Sequence, residues 1–201
     1  MTDKYRDSHV PPKLRRQAID LCTGITGCLA QTPRLGLPAL ILLYAGIDGM
    51  AWSSLPEGRD NVTGEDFQRW AKTYLLPDSG LECTEADLWA ARCGLVHSQI
   101  MDSKFARKGG ARHLWYHLGP GNLFLIPIGE QSKALPVTIS IDQLFAVFRR
   151  GIERFFEQIE NDAALEEIVF SRERRYYDEV RCIGKPGQDG SEVQTIPTVF
   201  L

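Results

Sequence analysis

The stretch Ile141-Asp-Gln-Leu-Phe-Ala-Val-Phe-Arg-Arg-Gly-Ile-Glu-Arg-Phe-Phe-Glu-Gln-Ile-Glu160 decides the fold class. Within it Leu144, Phe145, Phe148, Ile152, Phe155, Phe156 and Ile159 recur at three- and four-residue intervals with charges between them, the period of an α-helix that buries one broad face. Ser140 stands three residues before Gln143, which places a hydroxyl against the first free backbone N–H groups of that helix. A stripe this wide needs partner helices, and the chain supplies them on both sides.

Upstream, Pro11-Pro12 opens a segment, Lys13 to Ala30, with Leu14, Ala18, Leu21, Ile25 and Leu29 at helical spacing, and Pro33 ends it. From Pro38 to Ser53 the chain is apolar nearly all round, as a central helix of a bundle is. Thr63-Gly-Glu-Asp66 and Thr84-Glu-Ala-Asp87 each set a hydroxyl three residues before a carboxylate. The first predicts a helix through Phe67, Trp70, Ala71 and Tyr74, and the second a helix through Leu88, Ala91, Leu95 and Val96 to about Ser98. Met101 to Gly110 reads as a polar, basic loop, followed by a short element at Arg112 to Leu118.

The runs Leu123 to Ile128 and Pro136 to Ile141 change the period. They are short, rich in β-branched residues and separated by a polar turn, which predicts a β-hairpin on the side of the helical body. Downstream, Asp162 to about Arg181 reads as a last helix, whose Arg172-Glu-Arg-Arg175 run is expected on a solvated face. The expected fold class is mainly α: an up-and-down helical bundle with a small β-hairpin insertion, one domain over residues 1–183 and an extended, Gly- and Pro-containing tail over 184–201.

Composition agrees with a globular chain. Its 201 residues are 43% hydrophobic and 24% charged, enough to bury a core without a disulfide or metal staple, which excludes disordered, collagen-like and disulfide-scaffold classes. The five cysteines are scattered and never form Cys-x-x-Cys, as expected of reduced thiols in a cytoplasmic protein. Met1 to Arg16 carries no apolar run, and Leu35 to Trp52 is interrupted by glycine, proline and Asp48, so neither a signal sequence nor a membrane span is expected. The net charge of −3 disfavours wholesale electrostatic binding to nucleic acid and leaves room for a local basic patch.

Phosphate-binding glycine loops, His-Glu-x-x-His and Gly-x-Ser-x-Gly are all missing from the sequence, and Cys83, Cys93 and His97 match no familiar zinc spacing. No metal or other cofactor is therefore expected. The informative segment is Leu88-Trp-Ala-Ala-Arg92-Cys-Gly-Leu-Val-His97-Ser98. Five residues apart on a helix, Arg92 and His97 diverge by about 140°, so only a long, curling arginine could bring the two heads together. The spacing alone says little, since Arg112 and His117 repeat it.

The order of words is more specific than the spacing. Tyr44-Ala-Gly-Ile-Asp48-Gly-Met-Ala-Trp52, then Asp66-Phe-Gln-Arg-Trp70 with Tyr74, then Ala91-Arg92-Cys93-Gly94-Leu95-Val96-His97-Ser98 resembles small, mostly bacterial proteins of the HEPN-like class, over roughly residues 15–160. The resemblance implies a helical bundle that forms a homodimer. It further implies a metal-independent ribonuclease site with an Arg-x4-6-His motif from each subunit, matched here by Arg92 and His97, in a toxin or defence setting with an antitoxin or regulatory protein as partner. Cys93 stands where active members often carry a polar residue, so a non-catalytic dimerisation or protein-interaction module is the alternative.

The residue types suit the chemistry. RNA cleavage by its own 2′-hydroxyl needs a base near neutral pH, an acid for the leaving 5′-oxygen and a cation at the crowded phosphorane, which histidine and arginine can provide. The structural reading of the same pair has Arg92 bridging to an acid such as Asp87 and His97 satisfied near a helix C-terminus. Asp48, one turn after Tyr44, either supports Arg92 as a buried hydrogen-bonded carboxylate or caps a glycine-induced break. Lys104, Arg107, Lys108 and Arg112 form an acid-free cluster interleaved with Phe105, His113, Trp115 and Tyr116, either an RNA-binding loop beside a stacking surface or a solvated loop beside a packed aromatic turn.

Overall fold

The computed structural model describes residues 9–31, 33–98, 104–119 and 136–178, with backbone alone at 96–98, 104–105 and 175–178. The helices are α1 (Pro12–Leu29), α2 (Gly36–Ser53), α3 (Gly64–Trp70), α4 (Glu85–Ser98), the single-turn α5 (Lys104–Arg107), α6 (Ile141–Asn161) and α7 (Ala163–Asp178). The last turn of α3 widens into a π-helical turn, Ala71–Leu75. The molecule is thus mainly α, with α2 in contact with α1, α3, α4, α6 and α7. This central place follows from its composition. Leu40, Leu43, Tyr44, Ile47 and Met50 are fully buried along one face, and the buried Ala39, Gly46 and Ser53 widen that face to about half of the helix circumference, broader than the stripe of a surface helix. Among the described residues α2 alone is long and apolar enough to cross a membrane, and 56% of that window lies buried inside the protein.

The closest approach in the bundle is at Gly46. A Cβ there would run into the Leu21 side chain of α1 and come within 2.7 Å of the Phe148 ring of α6, so three helices meet where one of them has no side chain. Around this point Trp70, Tyr74, Phe148 and Phe155 form a tilted and edge-on aromatic cluster, with centroids 5.1 to 6.3 Å apart.

Both threonine signatures fold as capping boxes. Thr63 Oγ1 accepts from Asp66 N–H, while Asp66 accepts from Thr63 N–H at 3.0 Å. The Asp66 carboxylate is also gripped by Arg59 and, at 2.7 Å, by Arg69. Burial alone would raise the pKa of Asp66, yet the Thr63, Arg59 and Arg69 hydrogen bonds outweigh it and hold the carboxyl well below the usual range. Thr84 and Asp87 repeat the reciprocal bonds at the start of α4, and Ser140 Oγ accepts from Gln143 N–H at the start of α6.

The segment at Val137–Ser140 is a strand, β2, and among the described residues it pairs in parallel with β1 (Leu114–His117), Leu114 opposite Val137 and His117 opposite Ser140. Residues 123–128, the other half of the expected hairpin, lie outside the described residues. Burial accounts for the β1–β2 pairing, because Leu114, Val137 and Ile139 all face the core. One expectation is corrected: Arg172 is only 6% exposed where a solvated face was expected. Its guanidinium donates to the carbonyls of Leu55 (3.0 Å), Pro56 (2.7 Å) and Arg59, and lies 4.9 Å from the Trp52 ring centroid. It thereby ties α7 to the chain leaving α2, while Arg174 stays exposed. The C-terminal tail, 184–201, lies outside the described residues, as does Met101 to Ser103 of the expected loop; the rest of that loop contains α5.

Candidate functional site

The N-terminal box of α4 fixes where its side chains point. Asp87 is buried and receives four hydrogen bonds from two segments. Besides Thr84 N–H, it accepts from Arg112 through the backbone N–H at 2.6 Å, Nε at 3.1 Å and Nη2 at 2.7 Å. Burial pushes the Asp87 carboxyl up, but these bonds prevail and its pKa is lowered. Arg112 Nη2 also donates to the Glu82 carbonyl at 2.7 Å. The sequence grouped Arg112 with the basic loop; the structure makes it the tie between the start of α4 and the entry to β1. Arg107 and Lys108 are exposed, and Lys104 begins α5 with its side chain outside the described residues.

Two turns along α4, Arg92 turns toward α2. Its Nε lies 2.7 Å and its Nη2 2.6 Å from Asp48 Oδ2, and both side chains are less than one-fifth exposed. The acid that meets Arg92 is therefore Asp48 rather than Asp87, which is taken by Arg112. The cap alternative for Asp48 does not apply, because α2 runs unbroken through it. Trp89, one turn earlier on α4, lies beneath the Arg92 guanidinium, with its ring centroid 5.3 Å from Arg92 Cζ. Sequence reading missed Trp89 as a site residue, although the i, i+3 spacing from Arg92 was a usable signal.

Cys93 follows Arg92 and is half-buried; burial pushes its thiol up against the opposing pull of Arg92, so it is not a thiolate at neutral pH. His97 lies in the last turn of α4. Its side chain is outside the described residues.

One turn before Asp48, the buried Tyr44 hydroxyl shares a hydrogen bond with the Tyr116 hydroxyl of β1. Both phenols are pushed up by burial above all, which keeps them neutral. Cys83 beside them is raised to about 12 by burial and by Asp87. This chain of contacts leaves β1 anchored to α2 and α4 together, with Trp115 pointing outward at 52% exposure. Among the described residues no group of three or more His, Cys, Asp or Glu side chains could hold a metal ion.

Comparison with protein families, curated proteins and solved structures finds no match to this chain.

Proposed function

We propose that this chain is a cytoplasmic RNA-binding protein of HEPN-like type that cleaves RNA without a metal, using Arg92 and His97 from each subunit of a homodimer. The observation that carries the reading is the largely buried Asp48–Arg92 pair, whose arginine lies on the same helix as His97. A guanidinium fixed by a carboxylate on one edge is oriented before substrate arrives, as a group meant for a developing phosphorane should be. His97 would take the proton of the attacking 2′-hydroxyl and return one to the leaving 5′-oxygen, and Arg92 would hold the extra negative charge between those steps. Lys104, Arg107 and Lys108 would follow the RNA backbone, and an antitoxin or regulatory protein would restrain the activity.

The second reading is a non-catalytic dimerisation or protein-interaction module. Specific observations favour it: Asp48 neutralises Arg92, and Asp87 neutralises Arg112. Incubation of the purified protein with mixed RNA in EDTA separates the two. Cleavage that survives chelation and vanishes in His97→Ala supports the ribonuclease. Intact RNA with the wild-type protein leaves the module.

A further inference from the structure

The tightest contact around the candidate site involves neither Arg92 nor His97. A Cβ added to Gly64, the first residue of α3, would lie 2.9 Å from two atoms of the Trp89 indole, far inside ordinary contact. Alanine is the better helix former, so on local propensity glycine is the wrong residue here. Its presence makes sense if the indole must lie flat on the backbone at that point. The backbone there is rigid, because Thr63 and Asp66 close a capping box around it and Asp66 is clamped by Arg59 and Arg69. The indole has a second wall in Phe67, whose centroid is 5.3 Å away at a 52° tilt. The guanidinium of Arg92 lies over the same ring at 5.3 Å.

We infer that Trp89, seated on Gly64 and Phe67, is the positioning residue that holds the Arg92 guanidinium against Asp48. Asp48 Oδ2 accepts from Nε at 2.7 Å and lies 2.6 Å from Nη2, and the Trp89 ring lies beneath the same guanidinium. An aromatic surface alongside restricts tilting of the guanidinium, since the cation is attracted to the ring and is blocked by it in one direction. A carboxylate and a ring together restrict both where the guanidinium sits and how it tilts, which an arginine needs to meet a phosphate oxygen with fixed geometry. This inference deepens the ribonuclease reading and rests on it for its purpose, although the positioning itself can be measured with no RNA present.

The test follows the Arg92 Nε–H by NMR in the full-length protein, its signal assigned by its loss in Arg92→Lys. Trp89→Leu should speed solvent exchange of that proton about fivefold, the scale of one cation–π contact, and Trp89→Phe should restore most of the protection. Gly64→Ala should act in the same direction as Trp89→Leu while leaving every polar group of the site in place. Unchanged Arg92 protection in a cooperatively folded Trp89→Leu or Gly64→Ala variant overturns the inference. Where the wild-type protein cleaves RNA, both variants should lower kcat about fivefold and leave KM unaltered. A rise in KM alone would also overturn it. If the wild-type protein cleaves nothing and the exchange result still holds, the ribonuclease reading fails and the positioning stands.

Discussion

Arg92 on α4 and Asp48 on α2, 44 residues apart, meet through a single carboxylate oxygen, with Nε at 2.7 Å and Nη2 at 2.6 Å. The pair bridges the two helices that would have to stay in register for the site to exist. Asp48→Asn removes the charge and keeps the shape, so it should cost about 2 kcal/mol of stability, in the range of hydrogen bonds to charged groups. RNA affinity should change as well, because the guanidinium is freed from its carboxylate. Denaturant unfolding and filter binding on the same preparation would check both, and no change in either would remove the pair from the site.

Arg172 is expected to matter more than its neighbours. Arg172→Ala leaves the carbonyls of Leu55, Pro56 and Arg59 without this donor and uncovers Trp52, a loss on the order of 3 kcal/mol. Arg174→Ala removes only an exposed contact to Glu167 and should stay within about 0.5 kcal/mol of wild type. Urea midpoints at constant m-value give the comparison, and equal midpoints for the two variants would contradict it.

The Tyr44–Tyr116 hydroxyl pair makes a prediction about additivity. Tyr116→Phe strands a fully buried Tyr44 hydroxyl and should cost about 1–3 kcal/mol, whereas the double variant with Tyr44→Phe leaves no polar group behind and should recover part of that loss. A double-mutant cycle showing strict additivity would mean that the hydroxyls do not interact.

Acid should loosen the bundle at the starts of α3 and α4. Asp66 and Asp87 have folded pKa values below their ordinary ones, so their contribution is complete above the ordinary carboxylate range and is withdrawn as pH falls through the lowered values. The wild-type Tm should therefore be nearly flat above about pH 5 and decline below about pH 4. Asp66→Asn and Asp87→Asn should each start from a lower Tm at neutral pH and show a shallower acid decline. A wild-type acid limb as shallow as theirs would assign the stabilisation elsewhere.

Salt dependence separates the two kinds of basic residue near β1. If Arg107 and Lys108 touch phosphate, replacing both with alanine should reduce the slope of log affinity against log salt by about 1.4, at about 0.7 per contact with a single strand. Arg112→Ala should instead lower stability, since it abandons the buried Asp87. An unaltered slope in the double variant would leave the loop as solvated surface.

What could be read in the sequence was what is decided locally. The stripe from Leu144 to Ile159, the two threonine boxes and the Ser140 cap each depend on residues within a few positions of one another, and each has its counterpart in the structure. Pairings across the fold were less visible. Nothing along the chain distinguishes Asp48 from Asp87 as the partner of Arg92; the decision is made by Arg112, which reaches Asp87 from the entry to β1. Arg172 gave no warning because its acceptors are backbone carbonyls, which leave no trace in residue identity. The parallel pairing of β1 with β2 was not visible either: the strands are about twenty residues apart, and what brings them together is burial of Leu114, Val137 and Ile139. At the site, Arg92 and Asp48 were both nameable from sequence, whereas Trp89 needed the approach of Gly64 to give it meaning.

Gly46 lies two residues before Asp48, at the crossing of α1, α2 and α6. Any side chain at that position would have to push Phe148 or Leu21 aside or lift α2 away from them, and Asp48 would travel with the helix. A sideways displacement of about 1 Å would tilt the 2.7 Å contact to Arg92 by about 20°. The aim of the arginine therefore also depends on the opposite side of α2, where Leu21 and Phe148 close on Gly46. Repacking the interior at Leu21 or Phe148, even with side chains of similar volume, would retune the site as directly as a change within it.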